Sequence, residues 1–300
     1  LPISGTHSAM WLTRIGATSV AVLAPARRAA DSSLAQWVAV YRAAFAMTFG
    51  VQLQYRAALA IWLLGLVLTP IVSLVVWMTV ASSSGGQAGG YTAAGFAGYF
   101  LALLVINHLT FTWIAWDFEE EVRTGTLSAK LLRPIDPIHV YIADNLTYKI
   151  ITMVVVAPVT VALALAFAPD ADVTLANITV AALAIVLAGS LRFLVEYTLA
   201  LAAFWTTRVF AINDLYYVSL FFFSGQLVPL TLLPDWMQTV GTFLPFRWML
   251  SFPVEVVIGR VGITDILAGL CIQVAWIGAF AIIRTLVWRM GLRRYGAVGA

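Results

Sequence analysis

Ala57 to Trp116 reads AALAIWLLGLVLTPIVSLVVWMTVASSSGGQAGGYTAAGFAGYFLALLVINHLTFTWIAW, a stretch with no Asp, Glu, Lys or Arg. Its one interruption is the Gly/Ser-rich segment Ser82 to Gly90. Each flanking run is long enough, at about 1.5 Å rise per residue, to cross a hydrocarbon core of roughly 30 Å. These runs define an integral membrane protein.

Composition gives the same answer, because 62% hydrophobic and 10% charged residues lie far from the balance of a soluble domain. Further uncharged runs occur at Ile150 to Pro169, Val173 to Leu191, Leu215 to Pro234 and Ile266 to Ile283. Backbone amides in lipid must be satisfied internally, so each run is expected to be a helix. The expectation is an all-α membrane protein with six spans, at about 57–81, 93–116, 147–168, 174–203, 209–230 and 264–288. Residues 33–300 form a single membrane domain in this reading, with 1–32 a weakly ordered leader.

Lys and Arg in short loops set orientation. Arg14, Arg27, Arg28, Arg42 and Arg56 precede the first span, whereas the loop Ser82 to Gly90 has no basic residue. Arg123, Lys130, Arg133 and Lys149 occupy the second loop, and Arg284, Arg289, Arg293 and Arg294 the C-terminal region. Both termini are therefore expected in the cytoplasm, with Arg247 and Arg260 the exceptions outside. The isoelectric point near 9.1 is topological by this reading and implies no nucleic-acid partner. Cys271 lies mid-span and is expected as a buried packing thiol. His7, His108 and His139 lack ligand spacing, so no metal site is indicated, and no catalytic cluster is visible.

Arg14, the short apolar Ile15 to Ala24 and Ala24-Pro25-Ala26 loosely imitate a secretory signal, but cleavage would place four arginines outside. Over 33–55, Leu34, Trp37, Val38, Tyr41, Phe45, Phe49 and Leu53 recur at helical spacing. Either an amphipathic interfacial helix or an extension of the first span fits.

The loop after the second span is the most specific part of the chain. Gly125 suits the stop of a helix continuing past the membrane, and Thr126 to Leu132 can form a short helix ended by Pro134. Leu127, Leu131 and Leu132 would share one of its faces. Asp136-Pro137 suits the start of the next helix. A short rigid helix held by two long ones offers a partner protein something to push.

Gly125-Thr126-Leu127 with Leu131-Leu132-Arg133-Pro134-Ile135-Asp136 resembles the cytoplasmic coupling segment of ABC-type exporter permeases of the type 2 family, in an uncharacterised bacterial branch. Phe204-Trp205-Thr206-Thr207-Arg208, Phe223 to Leu230, Leu244-Pro245-Phe246-Arg247-Trp248, Phe252-Pro253-Val254-Glu255 and the tail Arg293 to Gly299 are similar to that branch. The resemblance implies an exporter permease in the bacterial inner membrane, paired with a second permease subunit, the same or related, and with two ATPase subunits. Glu121, Gly125, Thr126, Leu127, Leu131, Leu132, Arg133, Pro134 and Asp136 would then couple to those ATPases. No Gly-x-x-x-x-Gly-Lys-[Ser/Thr] phosphate loop occurs in the chain, so ATP and its Mg ion would belong to the partner.

Pro229, Pro234, Pro245 and Pro253 punctuate the outer segment between the last two spans, favouring short re-entrant or interfacial helices over one long one. In similar permeases this region caps the outer mouth of the path; a plain aromatic belt explains the same residues. Arg192 and Glu196 stand at i and i+4 and can pair within the membrane, as a staple between helices or a substrate site. Arg208 with Asp214, and Glu255 with Arg247 or Arg260, are further candidate pairs. Phe221, Phe222, Phe223, Ser224, Gly225, Gln226 and Pro229 are the candidate gate, though helix packing accounts for them equally. A gradient-driven secondary transporter is the rival class, which would want an acidic relay beyond a Glu196 already matched by Arg192.

Overall fold

Caps and breakers cut the apolar runs into helices, and the computed structural model describes residues 34–54, 56–133, 135–170 and 173–295. The segment read as a leader, together with Pro134 and the tail after Tyr295, lies outside those residues. Helix α1 spans Leu34–Gln54 and α2 Arg56–Ser83. A minimal hairpin follows, β1 Gln87–Ala88 antiparallel to β2 Tyr91–Thr92. Thr92 then caps α3 (Ala93–Thr110) by accepting the Gly95 amide at 3.0 Å. Helices α4 (Ala115–Thr124), α5 (Leu127–Leu131) and α6 (Ile138–Phe167) lead to α7 (Leu175–Ala200), whose Thr174 cap accepts from Asn177. A 3-10 turn, Leu201–Phe204, precedes α8 (Val209–Phe223). A second 3-10 turn (Leu230–Leu232), α9 (Asp235–Phe243), α10 (Pro245–Met249) and α11 (Ser251–Val257) make up the proline-punctuated segment, and α12 (Ile263–Arg294) closes the bundle.

Five stretches are long and apolar enough to cross a bilayer: Leu63–Ser83, Ala93–Thr124, Ile138–Phe167, Leu175–Phe204 and Ile263–Arg294. The chain is an all-helical membrane protein. Helix α8 is apolar but has 15 residues, about 22 Å of rise against a core of roughly 30 Å. The helix expected over 209–230 thus ends at Phe223, because Gly225 takes a left-handed conformation (φ 81°). A Cβ there would lie 2.3 Å from the Tyr99 hydroxyl, so close approach as well as backbone requires glycine.

Helix α3 is the enclosed centre, packed by α2, α6, α7 and α11. Around it lies one core built on Phe96, Tyr99, Phe100, Trp248 and Phe252. A second core gathers Phe118, Leu127, Tyr141, Tyr197 and Phe204 at the end where α4 and α5 sit. Helix α12 runs about 48 Å from one core to the other at 1.5 Å per residue, packing along α7.

Three expectations change. Helix α1 packs on α6, but its polarity is not one-sided: Val38, Met47, Phe49 and Val51 are exposed while Thr48 is buried, donating to Asp144. Cys271 faces out of the bundle on α12, opposite the buried Gln273. A thiol behaves as a small hydrophobe, and the apolar outer face of a membrane helix suits it as well as a core does. Arg208 and Asp214 form no ion pair among the described residues; Asp214 is exposed.

Candidate functional site

The segment after α4 is built from a stop and two clamps. Gly125 ends α4 in the left-handed conformation at φ 75°, its amide bonding back to Val122. Leu127 then buries completely in the second core, and Leu131 is half-buried beside it. The first clamp is Glu121, which accepts from Lys130 Nζ at 2.5 Å and from the Tyr141 hydroxyl at 2.8 Å, tying α4, α5 and α6 together. The Lys130 ammonium also lies 4.3 Å from the Tyr141 ring centroid. The second clamp is Asp136, which caps α6 through the Ile138 amide at 3.0 Å and accepts twice from Arg284 Nη2 on α12, each at 2.7 Å. Ser128 and Tyr295 join the same two parts through their hydroxyls, 3.2 Å apart. Thr126 and Arg133 are exposed, and Arg123 pairs with Glu120.

Leu132 departs from the shared face expected for it with Leu127 and Leu131. It is 88% exposed, because its backbone is still helical (φ −74°, ψ −12°) and a residue five places on from Leu127 lies about 140° round the helix from it.

Behind this segment the second span breaks. Residues Phe111–Ile114 are not helical, so their carbonyls need partners from elsewhere. Asn145 Nδ2 of α6 donates to the Phe111 carbonyl at 3.0 Å, and the Tyr217 hydroxyl of α8 donates to that of Thr112 at 3.1 Å. Arg192, 1% exposed, lies beside the break. Its Nη1 donates to Asn107 at 2.8 Å and Thr110 at 3.3 Å, and its Nε stands 3.4 Å from Glu196. Glu196 in turn accepts from Tyr216 at 3.4 Å and Tyr217 at 3.3 Å. One polar network thus joins α3, the break, α7 and α8 inside the bundle. None of Asn107, Thr110, Asn145, Tyr216 or Tyr217 stood out in the sequence, since each is an ordinary residue until the fold places it.

The residues expected as a gate surround the end of α8. Phe222 is exposed, Phe221, Phe223 and Gln226 are half-buried, and Ser224, Gly225 and Pro229 are buried. The Tyr99 hydroxyl donates to the Gly225 carbonyl at 2.9 Å, and Trp77 Nε1 to that of Leu227 at 3.0 Å, which fixes the turn. Phe221 and Leu227 face an apolar groove of about 370 Å³ against α2.

At the other end of α12 a polar cavity of about 330 Å³ is lined by Tyr91, Thr231, Arg247, Glu255, Arg260 and Asp265, with Gly89 and Val261. Arg247 is 3.3 Å from Glu255, which also accepts from Ser251 at 2.7 Å. Burial raises the Tyr91 phenol above its ordinary range, and the Arg260 charge pulls it back. Among the described residues no group of three or more His, Cys, Asp and Glu could hold a metal ion.

The chain is a helical membrane bundle with a clamped projection at one end and a proline-punctuated segment of short helices at the other. The sequence profile of the ABC-2 family transporter protein matches residues 67–299, and the chain belongs to that family. It is accordingly a permease subunit of an ABC transporter, the membrane component and not the catalytic one, of a kind that works with ABC ATPases. No curated protein and no solved structure matches the chain.

Proposed function

We propose that this chain is the permease of an ATP-driven exporter, moving an amphipathic substrate outward by alternating access. Two ATPase subunits holding ATP and Mg would dock at the α4–α5 end, on the cytoplasmic side of a bacterial inner membrane, with both termini there. A second permease subunit, identical or related, would complete the transporter, and a sixth crossing would combine α8 with the broken segment after it. Glu121, Gly125, Thr126, Leu127, Leu131, Leu132, Arg133, Pro134 and Asp136 form the coupling region in this proposal. Phe221 to Gln226 and Pro229 form the gate, where bulky apolar side chains beside a buried turn separate inward and outward cavities.

The observation that carries the proposal is the double clamp. Lys130 with Glu121 ties the short helix to α4, Tyr141 brings in α6, and Arg284 with Asp136 ties the segment between α5 and α6 to α12, so a push on α5 has contacts through which to reach all three helices. The permease performs no covalent chemistry; it shifts the populations of two states in proportion to what the ATPases bind differently in each.

The test is purification of the tagged full chain from its native membrane in mild detergent, with co-eluting proteins identified by mass and ATP hydrolysis assayed with and without vanadate. A stoichiometric partner bearing a phosphate loop, with vanadate-sensitive hydrolysis, is the expected result. A folded chain eluting with neither would overturn ATP coupling.

A further inference from the structure

The polar cavity beside α12 contains charge that the protein does not neutralise. Four charged residues line it, and two of them satisfy each other: Arg247 pairs with Glu255, whose other oxygen accepts from Ser251. Arg260 places its Cζ over the Tyr91 ring, 3.7 Å from the centroid, and its Nη2 donates to the Gly90 carbonyl at 3.2 Å. Stacking occupies a face of the guanidinium and leaves its N–H edge, the part that grips phosphate. Arg260 has no ion-pair partner among the described residues, and neither has Asp265 in the first turn of α12. An unpaired cation and an unpaired anion therefore line one cavity without meeting each other.

A simple anion placed there would face the Asp265 and Glu255 carboxylates, and a simple cation would face two guanidinium groups. A ligand carrying both charges has no such conflict. The size also selects, since about 330 Å³ lies at the low end of ligand cavities and suits a small polar group more than an acyl chain. Depth is indicated by α9, which exposes Trp236, Val240 and Phe243 along one face. Aromatic side chains collect at the headgroup level of a bilayer. Arg247 Nη1, 3.5 Å from Thr242 Oγ1, ties the cavity wall to that helix.

We propose that this cavity binds the zwitterionic headgroup of a phospholipid, its phosphate on the N–H edge of Arg260 and its ammonium on Asp265. The assignment stands apart from ATP coupling and export direction; it needs only a membrane-embedded chain. A bound headgroup would bridge the turn after α11, which Arg260 holds against the hairpin, to the start of α12.

Native mass spectrometry of the full chain in detergent, with equimolar phosphatidylethanolamine and phosphatidylglycerol, tests it. The expected result is retention of the zwitterionic lipid over the anionic one by about tenfold, or about 1.4 kcal/mol. Asp265→Asn should erase that preference, and Arg260→Gln should lower retention of both lipids. Equal retention of the two lipids by the unaltered chain would overturn the proposal whatever the variants do, as would a preference unchanged in both variants. Glycerophosphoethanolamine serves as the soluble arm. If it binds as tightly as the lipid, the lipid assignment falls; if only a large excess displaces the lipid, the assignment stands.

Discussion

Removing the guanidinium at position 192 would leave the Glu196 carboxyl buried without its ion-pair partner, with Asn107 and Thr110 each short of a donor. Breaking a buried pair from one side costs about 3–5 kcal/mol. Arg192→Met should therefore lower the thermal unfolding temperature in detergent severely. Adding Glu196→Gln should restore part of it, because a neutral amide replaces the unpaired acid and its oxygen can still accept from one of the two tyrosines; equal losses in the single and double variants would contradict this. Gly225→Ala tests the turn after α8. Left-handed backbone costs a residue with a Cβ about 1–2 kcal/mol, and the Tyr99 hydroxyl stands in the methyl's place. In the same assay, Gly225→Ala combined with Tyr99→Phe should lose less than the sum of the two single losses. At this scale the sequence shows Arg192 and Glu196 together through their spacing. It does not show Tyr216, Tyr217 or Asn107, which reach the pair from other helices and carry no local signature.

Helical elements and their stops differ in how they are written. Gly125 and Gly225 both take positive φ, but only the first was legible as a stop; Gly225 ends α8 inside an apolar run that reads as one span over 209–230. The break at Phe111–Ile114 contains neither glycine nor proline, and long-range donors hold it: Asn145 on α6 and Tyr217 on α8. Local propensity has no access to such partners. Asn145→Ala should strand the Phe111 carbonyl at a cost of about 1–3 kcal/mol. Amide hydrogen exchange across 107–118 should then speed up while exchange in α12 stays unchanged. Unaltered exchange at the break would mean that Asn145 does not hold it. Leu132 differs, since at five residues from Leu127 it lies about 140° round the helix, and its backbone stays helical while its side chain is exposed.

The whole molecule has two distinct ends joined by α12, which the proposed function uses as a lever. At one end Tyr295 meets α5 through Ser128 and Arg284 meets Asp136 just before α6; at the other, Asp265 lines the polar cavity. Membrane embedding and family were legible because uncharged runs and a clustered motif survive in linear sequence. The clamps were not, as Asp136 and Arg284 are distant in sequence and pair only when α6 and α12 converge. If the lever account holds, Asp136→Asn should leave the Ile138 cap in place but loosen α12, reducing ATP-linked activity several-fold with little loss of expression. The central claim is that an ATPase subunit seats on the projection around Leu132. A photo-reactive amino acid at position 132 in native membranes tests it directly, with the same probe at the exposed Leu64 of α2 as a membrane-facing control. The account expects position 132, and not 64, to crosslink to a phosphate-loop ATPase; crosslinks from 132 to lipid alone would contradict it.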